Sequence, residues 1–121
     1  MQSAAQAYGK VANQIVSPRE LEADLLLKAA SRLQAVYDAW DSKRPELNAA
    51  LLHNRKLWTI FLTSITSQEH PLPQDIRQNV ANLGLYVMNA TMEMATDPQR
   101  AALGTLININ RELAAGLRGQ G

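Results

Sequence analysis

The sequence predicts an all-α protein, an antiparallel bundle of four long helices preceded by a short N-terminal helix. Two observations carry this prediction. Ala and Leu supply 35 of the 121 residues, against 11 for Val and Ile together, and this balance favours helices over strands. Prolines also recur at intervals of 25 to 28 residues, at Pro18, Pro45, Pro73 and Pro98. Because proline is well tolerated in the first turn of a helix, each is predicted to begin a long helix.

Local capping signals support two of these starts. The run Ser17-Pro18-Arg19-Glu20 favours a capping box, in which Ser17 caps the helix and Glu20 returns a hydrogen bond to the Ser17 N–H. Asp97 is expected to cap the last helix, which is predicted over 98–118 and is followed by a glycine.

A shorter helix is predicted ahead of the capping box, over residues 4–15. Gly9 weakens it and its apolar face is thin, so we expect it to dock conditionally on the bundle. The chain is therefore expected to form a single domain over 1–121, with 1–16 as an accessory helix and 17–118 as the bundle core.

Each long segment carries an apolar stripe of helical period, and the short connectors 41–44, 68–72 and 95–97 make consecutive helices antiparallel neighbours. The stripes predicted to face the core are Leu21, Leu25, Ala29, Leu33, Val36 and Trp40; Leu47, Leu51, Trp58, Leu62 and Ile65; Ile76, Val80, Leu83, Val87, Ala90 and Met94; and Ala102, Leu106, Ile109, Leu113 and Leu117.

The segment after Pro73 has a second apolar row, Leu85, Met88 and Met92, beside its core stripe. An apolar arc this wide is typical of a helix with two partners. One interpretation is a central helix whose second face is covered by the N-terminal segment. The other is that a removable N-terminal helix covers a groove that also receives an amphipathic segment of another protein.

Asparagines interrupt the helical pattern at several points. Asn54 lies within the apolar stripe of the segment after Pro45, between Leu51 and Trp58. Asn79, Asn82 and Asn89 lie in the segment after Pro73. Asn is a poor helix former, so we expect these amides to form hydrogen bonds between helices and to fix their register.

The sequence gives no support for catalysis. The chain has no Cys, and its two histidines, His53 and His70, lie on different predicted elements without metal-ligand spacing. Its six glycines are scattered and form no phosphate-binding loop. We therefore predict a protein that is not an enzyme and that uses no metal or other cofactor.

Location and partners are constrained by charge and hydropathy. No apolar run approaches the roughly 18 residues of a membrane span, and the start lacks the pattern of a signal peptide, so we expect a cytoplasmic protein without membrane insertion. The net charge of +1 does not favour binding to nucleic acid. Arg55, Lys56 and Arg77 could still form a basic patch, so RNA binding stays open as an alternative.

Five runs in order resemble the FlaF family of flagellar biosynthesis regulators from alphaproteobacteria, over about residues 5 to 90. They are Ala7-Tyr8-Gly9-Lys10, Ser17-Pro18-Arg19-Glu20-Leu21-Glu22-Ala23, Asn54-Arg55-Lys56-Leu57-Trp58, Leu72-Pro73-Gln74-Asp75-Ile76-Arg77 and Asn79-Val80-Ala81-Asn82-Leu83. The residues of these runs to which we assign a structural role are Ser17, Pro18, Glu20, Glu22, Asn54, Trp58, Pro73, Arg77, Asn79 and Asn82.

This resemblance implies a regulator that promotes flagellin production after transcription and couples it to filament assembly, opposite a second regulator, FlbT. Asn82-Leu83-Gly84-Leu85-Tyr86-Val87-Met88 is also similar, more faintly, to a stretch of the flagellin export chaperone family FliS. The likeness implies flagellin as the partner. RNA, and an adaptor role through FlbT, remain alternatives.

Physics and resemblance together suggest the residues that bind flagellin. Tyr8 is expected to dock the N-terminal segment through its ring and hydroxyl. The groove is expected along Leu26, Leu85 and Met88, with Met92 continuing the same row.

Overall fold

The structure, a computed structural model, describes residues 18–67 and 72–119. In chain order its helices are α1 (Pro18–Asp38), α2 (Trp40–Lys43), α3 (Leu47–Ile65), α4 (Gln74–Thr96) and α5 (Arg100–Leu117). A 3-10 turn over Arg44–Glu46 joins α2 to α3, and the described residues contain no strand. The all-α prediction, with four long helices, is confirmed. The short helix expected over 4–15 lies outside the described residues.

The long helices pack as antiparallel neighbours around α1 and α3. Helix α1 packs most extensively against α5 and also against α3, whereas α4 packs mainly against α3 and touches α5 at few points. Opposite chain directions are evident at both ends of the α1–α5 pair, where Asp24 meets Arg118 and Tyr37 meets Arg100. The protein is therefore a compact set of α1, α3 and α5 with α4 attached along one side of α3.

The prolines lie at the helix boundaries, although not all in the predicted position. Pro18 is the first residue of α1 and Pro73 immediately precedes α4. Pro98, however, does not begin α5, which starts at Arg100 after an extended Gln99. Since a proline disfavours helical backbone in the residue before it, Pro98 ends α4 instead. The predicted cap by Asp97 is wrong, because its carboxylate accepts a hydrogen bond from the Gln99 side chain.

The core-facing side of α5 differs from the predicted stripe. Ala102, Ile109 and Leu113 are only partly buried, whereas Leu103, Ile107 and Ala114 take core positions. The residue at the centre of the inward face is Asn110, which is fully buried. The face of α5 predicted from the apolar pattern is therefore rotated relative to the face that packs in the core.

Helix α1 shows a similar difference at its start. Leu21 and Leu25 were expected in the core but are about two-fifths exposed, because Ala23 and Leu26 occupy the inward face there. The helix also ends at Asp38, so that Trp40 begins α2 rather than extending α1. Further along α1, the predicted core residues Ala29, Leu33 and Val36 are buried.

A buried polar network joins three helices at the centre of the core. The Trp58 indole N–H donates to Asn110 Oδ1 at 2.9 Å, and Asn110 Nδ2 donates to Asn54 Oδ1 at 2.8 Å. Asn110 Nδ2 also donates to the backbone carbonyl of Leu26 at 3.3 Å. The interhelical hydrogen bond expected of Asn54 is present. Because sliding the helices would remove the three hydrogen bonds of the buried Asn110 amide, this network fixes the register of α1, α3 and α5.

Helices α3 and α4 approach each other closely at Gly84. A Cβ placed there would lie 2.5 Å from Cδ2 of Leu62 and 2.8 Å from its Cδ1. The missing side chain therefore allows Leu62 to pack directly on the α4 backbone.

We expect Asn110→Ala to lower the free energy of unfolding by about 3 kcal/mol, because the buried Trp58 N–H loses its acceptor and a small cavity remains. Chemical denaturation monitored by circular dichroism measures the change. Asn108→Ala on the exposed side of the same helix is the matched control, and it should change stability by less than about 0.5 kcal/mol. Equal effects of the two substitutions would contradict a central role for the network.

We expect Gly84→Leu to destabilise the fold by about 2 kcal/mol, since the new side chain must displace Leu62 from the α3–α4 contact. Gly116 offers the control: it lies in α5, and a Cβ there meets no atom within 4 Å. Gly116→Leu should raise the thermal midpoint slightly, because leucine favours helix more than glycine does. A neutral Gly84→Leu variant in the same thermal scan would show that the close approach is unimportant.

Candidate functional site

The second apolar row of α4 lies on the surface of the described structure. Leu85 and Met92 are 62% and 64% exposed, and Met88 between them is half-buried against the core. The three residues share one face because they follow a 3-4 spacing along the helix. Exposed large apolar side chains arranged in a row are typical of protein-binding surfaces.

Met92 forms one wall of a groove between α3 and α4. Leu52 and Arg55 form the facing wall from α3, in a cavity of about 400 Å³. The floor includes Thr91, whose hydroxyl donates to the Val87 backbone carbonyl at 2.7 Å. Because that hydroxyl already donates to a carbonyl within α4, Thr91 does not need a polar partner from a ligand. The groove therefore suits an apolar side chain flanked by an acceptor for Arg55.

Leu26 does not join this groove. Its side chain is 1% exposed, and it lies at the bottom of a different groove, between α1 and α3. Helices α1 and α4 also make little contact with each other. The expectation that Leu26, Leu85 and Met88 line one open groove is therefore wrong, because α3 separates α1 from α4.

Two predicted residues fall outside the described part of the chain, namely Tyr8 and Ser17. The proposed docking of Tyr8 and the capping box at Ser17 stay predictions. Pro18 begins α1, with Glu20 exposed and Glu22 half-buried within its first turns.

The asparagines predicted on α4 differ from Asn54. Asn79, Asn82 and Asn89 are all exposed, and Asn82 accepts a hydrogen bond from Gln78 one turn earlier in the same helix. Within the described residues none of them forms a hydrogen bond to another helix, although Asn89 lines a groove that faces α5. Asn110 of α5, for which the sequence predicted no role, forms interhelical hydrogen bonds instead.

Arg77 closes the connection between α3 and α4. Its Nε donates to the Leu72 carbonyl at 3.1 Å and its Nη1 donates to the Ser67 carbonyl at 2.8 Å. It lies beside Ile65 at the end of α3, ten residues and thus roughly 15 Å along the axis from Arg55. The basic patch of Arg55, Lys56 and Arg77 is therefore not formed, since Arg77 is remote and its guanidinium binds backbone carbonyls.

The part of the chain that the structure describes has neither a metal-binding cluster nor a helix suited to span a membrane. No group of three or more His, Asp or Glu side chains there is placed to hold a metal ion. No described helix is both long and apolar enough to cross a membrane. His53 is exposed on α3, and His70 lies outside the described residues.

The family model described as flagellar protein FlaF matches residues 4–117, a stretch that includes every described helix. No curated protein and no solved structure matches the sequence. Because the family match extends over nearly the whole chain, the protein belongs to the FlaF family of flagellar proteins.

Proposed function

We propose that the protein binds flagellin before export, in the groove between α3 and α4, and thereby promotes flagellin synthesis after transcription and couples it to filament assembly. The observation that supports this proposal is the apolar row of α4, in which Leu85 and Met92 are more than half exposed and Met92 lies across the groove from Leu52. Membership of a flagellar family supports the choice of flagellin as the partner in this proposal.

The side chains of the groove suit a segment that folds on binding. Met92 lines the groove and Met88 lies one turn before it on α4, and their flexible thioethers adapt to irregular apolar partners. A disordered end of flagellin would gain apolar burial here and lose conformational entropy, so that binding is moderate in strength and reversible. Reversible binding is what a protein that must release its cargo at an export apparatus requires.

The regulatory effect follows from stoichiometry under this proposal. When flagellin accumulates in the cytoplasm, it occupies the groove, and when flagellin is exported the groove becomes free. The proportion of free protein then reports the demand for new flagellin. Regulation of this kind needs no contact between the protein and messenger RNA.

The alternative of RNA binding receives little support from the arrangement of charges. Arg77 lies roughly 15 Å from Arg55 along the helix axis and is bonded to two backbone carbonyls. Apart from Arg55, the α3–α4 groove offers no cation and no aromatic ring on which a base could stack. An adaptor role through FlbT would use the same apolar row. Titration of the protein with FlbT and, separately, with flagellin distinguishes the two roles.

We expect Leu85→Asp and Met92→Asp each to weaken flagellin binding at least about tenfold, because a carboxylate cannot be buried without a partner. Both side chains are more than half exposed, so the variants should stay folded. Tyr86→Asp is the matched control, since Tyr86 is also about half exposed on α4 but lines a different groove, facing α5. Isothermal titration of each variant with purified flagellin measures the effect.

Flagellin binding that is unchanged in Leu85→Asp and Met92→Asp would exclude this groove as the site. If the wild-type protein binds purified FlbT but not flagellin, and Leu85→Asp prevents that binding, the adaptor role replaces the proposal.

We also expect flagellin binding to show a large negative heat-capacity change and less than about a threefold loss of affinity between low and high salt. Apolar burial produces this signature, whereas phosphate contacts make affinity fall steeply with salt. Titration with flagellin and with its C-terminal peptide, at two salt concentrations and several temperatures, makes the measurement. A steep salt dependence with little change in heat capacity would contradict an apolar groove.

A further inference from the structure

A second groove lies on the opposite side of α3, where α1 packs against it. It has a volume of about 170 Å³, and its walls carry Leu21 and Leu25 from α1 and Leu57 and Ile60 from α3. Ile60 is 70% exposed, the most of any large apolar side chain in the described structure. This surface lies outside the proposed flagellin groove. The exposed leucines and isoleucine of this surface therefore need a separate explanation.

The groove continues into a basic region. On α1, Lys28 and Arg32 follow Leu21 and Leu25 in 4-3-4 spacing, which places all four residues on one face. Because α1 and α3 are antiparallel, that end of α1 lies opposite the earlier turns of α3, which carry His53 and Lys56. Apolar residues thus line the groove, and cationic residues lie beyond one of its ends on the same faces of α1 and α3.

The charges at the basic end are not neutralised within the described structure. Lys28, Arg32 and Lys56 are exposed, and no ion pair or side-chain hydrogen bond joins any of them to another residue. The first 17 residues of the chain cannot supply the missing charge, because they contain Lys10 and neither Asp nor Glu. Carboxylates of another molecule would complement the charge at this end.

We propose that the α1–α3 groove binds an amphipathic helix of a partner protein, with apolar side chains against Leu25 and Ile60 and carboxylates against Lys28 and Arg32. The face from Leu21 to Arg32 extends over eleven residues, or about 16 Å, which is three turns of a docked helix. Glu22 borders the apolar end, so a partner carboxylate is disfavoured there. The distribution of charge therefore specifies the direction in which the helix lies.

This groove and the proposed flagellin groove lie on opposite flanks of α3, and Ile60 also borders the cavity between them, which Leu52 and Arg55 line from the other side. Nucleic acid fits the α1–α3 groove less well, since phosphates would satisfy the cations but would leave Leu25 and Ile60 uncovered. A second copy of the chain would have to present an acidic, apolar helix face, and the test distinguishes this case by measuring mass in solution.

The probe is a fluorescent synthetic helix with leucines on one face of one half and glutamates on the same face of the other half, made with the acidic half first and with it last. Each has a matched peptide with glutamine for glutamate. We expect one of the two orders to bind the full chain, and its glutamine peptide to bind at least about tenfold more weakly. Fluorescence anisotropy measures the affinities.

Variants of the protein locate the site. Ile60→Asp and Arg32→Glu should each weaken peptide binding at least about tenfold, while Arg111→Glu, which makes the same charge change at an exposed position of α5, should leave it unchanged. Leu85→Asp should also leave peptide binding unchanged, and Ile60→Asp should still bind flagellin. Circular dichroism confirms that each variant is folded.

Several results would overturn the inference. They are no binding of either peptide at millimolar concentration, equal binding of the glutamine peptides, and binding that survives Ile60→Asp. Tight binding of an oligouridine that Arg32→Glu prevents and Ile60→Asp does not would identify a nucleic-acid surface instead. A dimer in solution that Ile60→Asp dissociates would show that a second copy fills the groove.

Discussion

Asn110 holds together the three helices on which the rest of the structure depends. Its amide binds Trp58 and Asn54 of α3 and the backbone of Leu26 in α1, from a fully buried position in α5. A slide of α5 by one turn would break all three hydrogen bonds together and leave buried donors without acceptors, at a cost of several kcal/mol. The network therefore selects a single register, as a buried asparagine does in coiled coils. The contact between Arg118 and Asp24, far from the network, agrees with that register.

Helix α4 lies outside the network, and its position explains why the surface has grooves. It is held against α3 by the close approach of Gly84 to Leu62 and by the hydrogen bonds of Arg77 to the connecting segment. Since α4 makes few contacts with α5, packing covers only part of its wide apolar arc. Leu85 and Met92 consequently remain exposed although their residue types are those of a core.

The sequence predicted the elements well because their signals are local. Proline spacing and helix-forming composition depend on neighbouring residues only, and they located every long helix of the described structure within a few residues. The faces were predicted less well, because burial depends on distant partners. Because asparagine is polar, a stripe of apolar residues does not include Asn110. The predicted face of α5 was therefore rotated away from it. Similarly, Leu21 and Leu26 are alike in sequence, and only the packing of α1 on α3 and α5 makes one exposed and the other buried.

Helix α3 is the element that both proposed sites share. Leu52 and Arg55 face the α4 side, Leu57 and Ile60 face the α1 side, and the whole helix is fixed by Asn54 and Trp58 in the core. Because α3 cannot shift without breaking that network, a ligand in one groove has no means of reshaping the other through the core. Coupling between two ligands would then come from direct contact across the surface between the grooves, a cavity of about 480 Å³ that Lys56 and Thr59 line together with Leu52, Arg55 and Ile60. Short ligands would bind independently, whereas a partner long enough to cross this surface would compete with the ligand of the α3–α4 groove. Such competition would let a flagellar protein respond to two signals without changing its fold.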